Sequence, residues 1–122
     1  MRISSAEAVV MEVLWRKSPV SADDIVADIG RQQDWSDKTV KTLINRLLTK
    51  KAIAATRDGR RYIYTPLIQR SAYVQNESRS LLDRLFDGRL APLVSHFAET
   101  RQLSKDDVLE LKRLVRKLDD GK

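Results

Sequence analysis

Lys38, Lys41, Thr42, Asn45, Arg46 and Thr49 recur at helical spacing within residues 36–50 and share one face with no acidic member. Ammonium and guanidinium groups on such a face neutralise phosphate oxygens. Threonine, asparagine and arginine groups hydrogen-bond base edges. Val40, Leu43, Ile44, Leu47 and Leu48 fall on the opposite side, so the segment docks by one face and offers the other. That pattern suits a helix entering a DNA major groove. A merely solvated helix face shares it, so the neighbouring residues must separate the two.

Charge placement favours the first reading. Residues 31–70 carry ten Lys or Arg against three Asp or Glu, whereas residues 1–30 carry three against five and residues 71–122 ten against nine. The net +6 of the 122 residues is therefore concentrated around the polar helix, the footprint expected for a polyanionic partner.

The elements that must hold this face are well marked. Ser4-Ser-Ala-Glu7 reads as a capping box opening a helix over about 4–16, which Pro19 stops. Ser21 opens a second helix, with Ile25, Val26 and Ile29 inward, Val20 as a staple on Ile25, and Gly30 as the expected stop. Ser36 caps a third over about 37–50; Trp35 staples to Val40 or serves as a stacking aromatic. Three helices with short turns match a helix-turn-helix core. Two β-prone runs follow, 53–57 and 60–65, with Asp58-Gly59 expected as the hairpin turn. Arg57, Arg60 and Arg61 surround it. This is a wing reaching for a phosphate backbone, or a charged turn that protects an edge strand.

Residues 69–122 have another character. Three amphipathic helices are expected: about 70–87 with Val74, Leu81, Leu82, Leu85 and Phe86; about 90–100 with Leu93, Val94 and Phe97; and one opened by Ser104 with Val108, Leu111, Leu114, Val115 and Leu118. Short stripes of this kind close by pairing with the same segment of another subunit, or by packing back onto the first half. The expected architecture is mainly α with a small β-hairpin: a winged helix-turn-helix over 1–68 and a helical dimerisation region over 69–122.

Catalytic chemistry is absent. His96 is the one histidine, cysteine does not occur, and no Gly-rich phosphate loop or His-Glu-x-x-His motif is found. Asp23, Asp24, Asp106 and Asp107 sit in first helical turns, where the helix dipole favours them. No enzyme, cofactor or metal is expected. No apolar run approaches the ~18 residues of a membrane span and no signal-peptide core follows the start. A cytoplasmic protein without membrane insertion is the expectation.

Taken together these residues resemble the penicillinase-repressor family, the BlaI/MecI/CopY group of bacterial winged-helix repressors. The resemblance rests on Ile3-Ser-Ser-Ala-Glu7, Val10-Met-Glu-Val-Leu-Trp15, Trp35-Ser-Asp-Lys-Thr-Val-Lys-Thr-Leu43, Arg46-Leu47, Asp58-Gly-Arg60 and Tyr64-Thr-Pro66. It continues through Leu81-Leu-Asp-Arg-Leu-Phe86, Leu93-Val-Ser-His-Phe97 and Leu103-Ser104. It implies a homodimer on a palindromic double-stranded DNA operator, repressing β-lactamase or related resistance genes. Ser36, Lys38, Thr39, Lys41, Thr42 and Arg46 become the DNA-reading set and Arg60 with Arg61 the wing contact. Family members tied to β-lactam sensing are inactivated by proteolysis at an Asn-Phe bond, with a membrane sensor metalloprotease as the implied partner. The matching pair here is His96-Phe97, a departure from that pattern. The copper-responsive branch ends in paired cysteines, which this chain lacks. From another class, a winged-helix protein–protein adaptor without DNA binding fits the same fold; the basic block argues against it.

Overall fold

A computed structural model describes residues 2–121. The element order is α1 (Ser5–Lys17), β1 (Val20–Ser21), α2 (Ala22–Gly30), α3 (Asp37–Thr49), β2 (Ile53–Asp58), β3 (Arg61–Pro66), α4 (Arg70–Leu85), α5 (Leu90–Glu99) and α6 (Lys105–Asp120). The chain divides into two compact units, Met1–Val74 and Gln75–Lys122.

Serine caps begin four of the helices. Ser4 Oγ accepts the Glu7 amide at 3.1 Å while the Ser4 amide donates to Glu7 Oε1 at 2.8 Å, the reciprocal pair expected from the sequence. Ser21, Ser36 and Ser104 cap α2, α3 and α6 in the same way through their hydroxyls. Between them, α1, α2 and α3 bury Val10, Met11, Leu14, Ile25, Ile29, Val40, Ile44 and Leu47 in one core. Trp35 packs against that core from the residue before the α3 cap.

The sheet differs from the expected hairpin in two respects. It has three antiparallel strands in the order β1-β3-β2, with Val20 opposite Tyr64 and Ser21 opposite Ile63. A two-residue strand between Pro19 and a helix cap carries no alternation to read. Val20, expected as a staple on Ile25, is buried in the same core as Ile25 and pairs as a strand residue as well. The turn is also shifted by one residue. Asp58 pairs with Arg61, so Gly59 and Arg60 are its central residues. Gly59 has φ +66, and glycine at the first central position is the pattern of a type II′ turn, whose twist matches the flanking strands.

Helix ends depart from the glycine rule as well. Gly30 is the last residue of α2 rather than its stop, and Arg31 is the cap in ordinary helical geometry. Lys51 takes φ +63 after α3, with the Ala52 amide on Leu47 O at 2.9 Å and the Lys51 amide on Leu48 O at 3.0 Å. These are the two bonds of a Schellman motif. Arg101 repeats it after α5 at φ +58.

The first turn of α4 is tied to α1. Trp15 Nε1 donates to Ile68 O at 2.9 Å, the Trp15 and Tyr73 rings lie 5.5 Å apart, and Arg70 pairs with Glu12 at 3.0 Å. Within the second unit, the described residues of α4, α5 and α6 include none that is buried. Phe86 and His96 approach to 6.4 Å between ring centres, and Leu93, Val94, Phe97, Leu111 and Leu114 line a shared apolar groove.

Candidate nucleic-acid interface

The outer face of α3 exists because its inner face is fully used. Val40, Leu43, Ile44 and Leu47 are buried, which leaves Asp37 in the first turn and then Lys38, Thr39, Lys41, Thr42, Asn45, Arg46 and Thr49 exposed. Ser36, at the head of the helix, spends its hydroxyl on the cap, bonding the Thr39 amide at 3.2 Å and lying 3.1 Å from Thr39 Oγ1. Thr42 and Thr49 turn their hydroxyl protons back onto Lys38 O and Asn45 O, at 2.9 and 3.0 Å. Thr42, Asn45, Arg46, Thr49 and Lys50 line a shallow groove along this surface. Every member of the sequence-expected reading set thus falls on α3 or its cap. The amino-terminal half of that helix adds its own positive end to the cationic side chains.

In the same unit, the wing presents Arg57, Arg60 and Arg61, all exposed. Arg57 Nε donates to Gly59 O at 3.2 Å and Arg61 approaches Asp58 at 3.4 Å. Exposed pairs of this kind are weak, so both guanidinium groups stay free to exchange a local partner for a phosphate.

Two buried acidic groups of the same unit have partners that no sequence pattern announced. Glu7 is only 1% exposed. Its Oε1 accepts from Lys50 Nζ at 2.5 Å, and Lys50 also donates to Arg2 O at 2.8 Å. Burial pushes the Glu7 carboxyl up, but hydrogen bonds from Lys50 and Ser4 and the Lys50 charge outweigh it, so the net shift is downward. Asp28 behaves alike: burial raises it, Arg16 at 2.9 Å and Lys17 at 3.6 Å outweigh that, and it ends below its ordinary value. Both pairs link residues far apart in the chain, where a helical repeat says nothing.

The expected dimerisation residues divide by exposure. Leu81, Leu82, Phe86, Leu93, Val94 and Leu111 are half-buried, while Leu85, Phe97, Leu114 and Leu118 are exposed, Leu118 at 72%. Leu90 and Leu109, which the sequence did not single out for this role, are also exposed. Among the described residues no group of three His, Asp or Glu could hold a metal ion, and no helix is long and apolar enough to cross a membrane.

The family model described as "Penicillinase repressor" matches residues 3–117. The chain belongs to the penicillinase repressor family. This family member is similar to the penicillinase repressor of Bacillus licheniformis, at 35% identity over 114 residues that cover 93% of this chain and 89% of that one. It is similar to the methicillin resistance regulatory protein MecI of Mammaliicoccus sciuri, at 36% identity over 115 residues and 94% of each chain. Among solved structures, the Bacillus licheniformis BlaI monomeric form in complex with the blaP half-operator aligns with a TM-score of 0.54 at 36% identity, covering 60% of this chain and 89% of that one. The winged helix expected from the sequence is thereby borne out. Family membership also agrees with the regulatory, non-enzymatic class expected from the residues.

Proposed function

We propose that this chain is a homodimeric, cytoplasmic transcriptional repressor of a palindromic operator that controls β-lactamase or related resistance genes. Each subunit lays α3 in the major groove of one half-site, with Ser36, Lys38, Thr39, Lys41, Thr42 and Arg46 at the DNA. Arg60 and Arg61 hold the adjoining backbone from the wing. The observation that carries this reading is the exposed outer face of α3 over residues 38–49, which holds no acidic side chain and is followed by the basic wing. The half-operator complex of the similar BlaI domain supports it.

Residues 69–122 hold the subunits together in this reading. Support comes from three helices without a buried residue and from Leu85, Leu114 and Leu118, each more than half exposed. Leaving such side chains in water is unfavourable by roughly 1.5–3 kcal/mol each against full burial. Release follows from scission between His96 and Phe97 by a membrane sensor metalloprotease. Phe97 stands within the apolar face of α5, and its carbonyl is held by the Gln102 amide in the helix-ending motif. Cutting there breaks the link between two weak half-site binders, and their shared effective concentration goes with it.

A gel shift separates this reading from a DNA-free adaptor. At low salt the protein should retard random duplex at micromolar concentration and a two-half-site duplex far below that. No shift at micromolar protein favours the adaptor.

A further inference from the structure

We infer that Asn45 selects adenine at one position of each half-site, a role that rests on the DNA-binding reading above. At ~100° per residue, the buried Val40, Leu43, Ile44 and Leu47 define the inner line of α3. Lys38, Thr42, Asn45 and Thr49 then lie within about 30° of the opposite, outermost line, and Lys41 and Arg46 stand roughly 70° to either side. A helix seated in a groove aims its outermost row at base edges. Its flanks face the two phosphate-bearing walls.

Within the outermost row, the threonine protons are spent. Thr42 Oγ1 donates to Lys38 O and Thr49 Oγ1 donates to Asn45 O, which leaves both side chains to present methyl groups and acceptor lone pairs. Lys38 is a donor only. The Asn45 carboxamide is exposed, and no hydrogen bond to its side chain occurs among the described residues. It is the row's one group that offers a donor and an acceptor side by side. That pair matches adenine, whose N7 accepts from the amide nitrogen and whose N6 amino group donates to the amide oxygen. Helix stability gives no reason for asparagine here, since its amide competes with the backbone and makes it a poor former in a helix interior.

The test uses the full chain. A preferred duplex is selected from a randomised pool, and binding of wild type and Asn45→Ala is measured with each base, and with 7-deazaadenine, at every adenine of the selected half-site. At one such position wild type should lose about five- to 150-fold when adenine is replaced. It should also weaken with 7-deazaadenine, which lacks the N7 acceptor. Asn45→Ala should bind all bases there alike, keep its affinity for random duplex, and melt no lower than wild type. An unchanged adenine preference in Asn45→Ala overturns the assignment, as does a wild type indifferent to 7-deazaadenine everywhere or a selected site without adenine. In each of those outcomes sequence-specific binding by wild type survives. Failure of wild type to bind any duplex overturns the DNA-binding reading as well.

Discussion

Lys50 caps the carboxyl end of α3 and reaches back 2.5 Å to the buried carboxylate of Glu7 in the first turn of α1. The proposed reading helix is therefore fixed at its far end by an ion pair as well as by core packing. Lys50→Met leaves the buried Glu7 charge without its cation, with only the Ser4 capping bonds to hold it. Because the Lys50 side chain is partly exposed, the expected cost is about 1–3 kcal/mol, below that of a fully enclosed pair. Denaturant midpoints at pH 7 check this, and an unchanged midpoint contradicts it.

Acid should weaken the fold through Glu7 and Asp28. Both carboxyls are held below their ordinary values in the folded chain. A lowered folded value gives stability that is present above the unfolded value and lost as pH falls through the folded one. Unfolding free energy should hold from pH 7 to about 5 and decline below about 4.5. Lys50→Met removes the Lys50 hydrogen bond and charge but keeps the Ser4 hydrogen bonds on Glu7, so the decline should be shallower. Equilibrium unfolding across pH 3–7 reads both curves.

Trp15→Phe keeps an aromatic ring beside Tyr73 and removes the donor that satisfies Ile68 O. A loss of about 1 kcal/mol is expected, seen as a lower melting temperature. Since the change lies away from α3, affinity for a single half-site should not move.

Leu114→Glu and Leu118→Glu place charge on the uncovered side of α6. Sedimentation equilibrium should show dimers for wild type and monomers for the double variant. Binding to a two-half-site duplex should fall at least about tenfold, with half-site binding retained. A double variant that stays dimeric contradicts the proposed pairing surface.

Local chemistry was the legible part of this chain. Ser4 with Glu7, Ser36 before an apolar stripe, and Ser104 with Asp107 each declared a helix start, because a cap is a short-range hydrogen bond written within four residues. The polar face of α3 was legible for the same reason: residue type and a 3.6 period suffice. Strand β1 was not, since two residues carry no period. The turn register was missed because Asp58-Gly59 resembles a different turn, and only cross-strand pairing places Gly59 and Arg60 at the centre. Lys51 and Arg101 end helices in left-handed geometry without a glycine to mark them. Glu7–Lys50 and Asp28–Arg16 depend on which helices pack together, so they emerge only in the fold.

The salt dependence of affinity tests the central claim most directly. If paired α3 helices and wings neutralise ~8 phosphates, log affinity for the selected duplex should fall against log salt with a slope near −7. Replacing Arg60 and Arg61 by alanine should flatten that slope by about one for each phosphate no longer neutralised. A wild-type slope close to zero, with binding intact, would contradict the account.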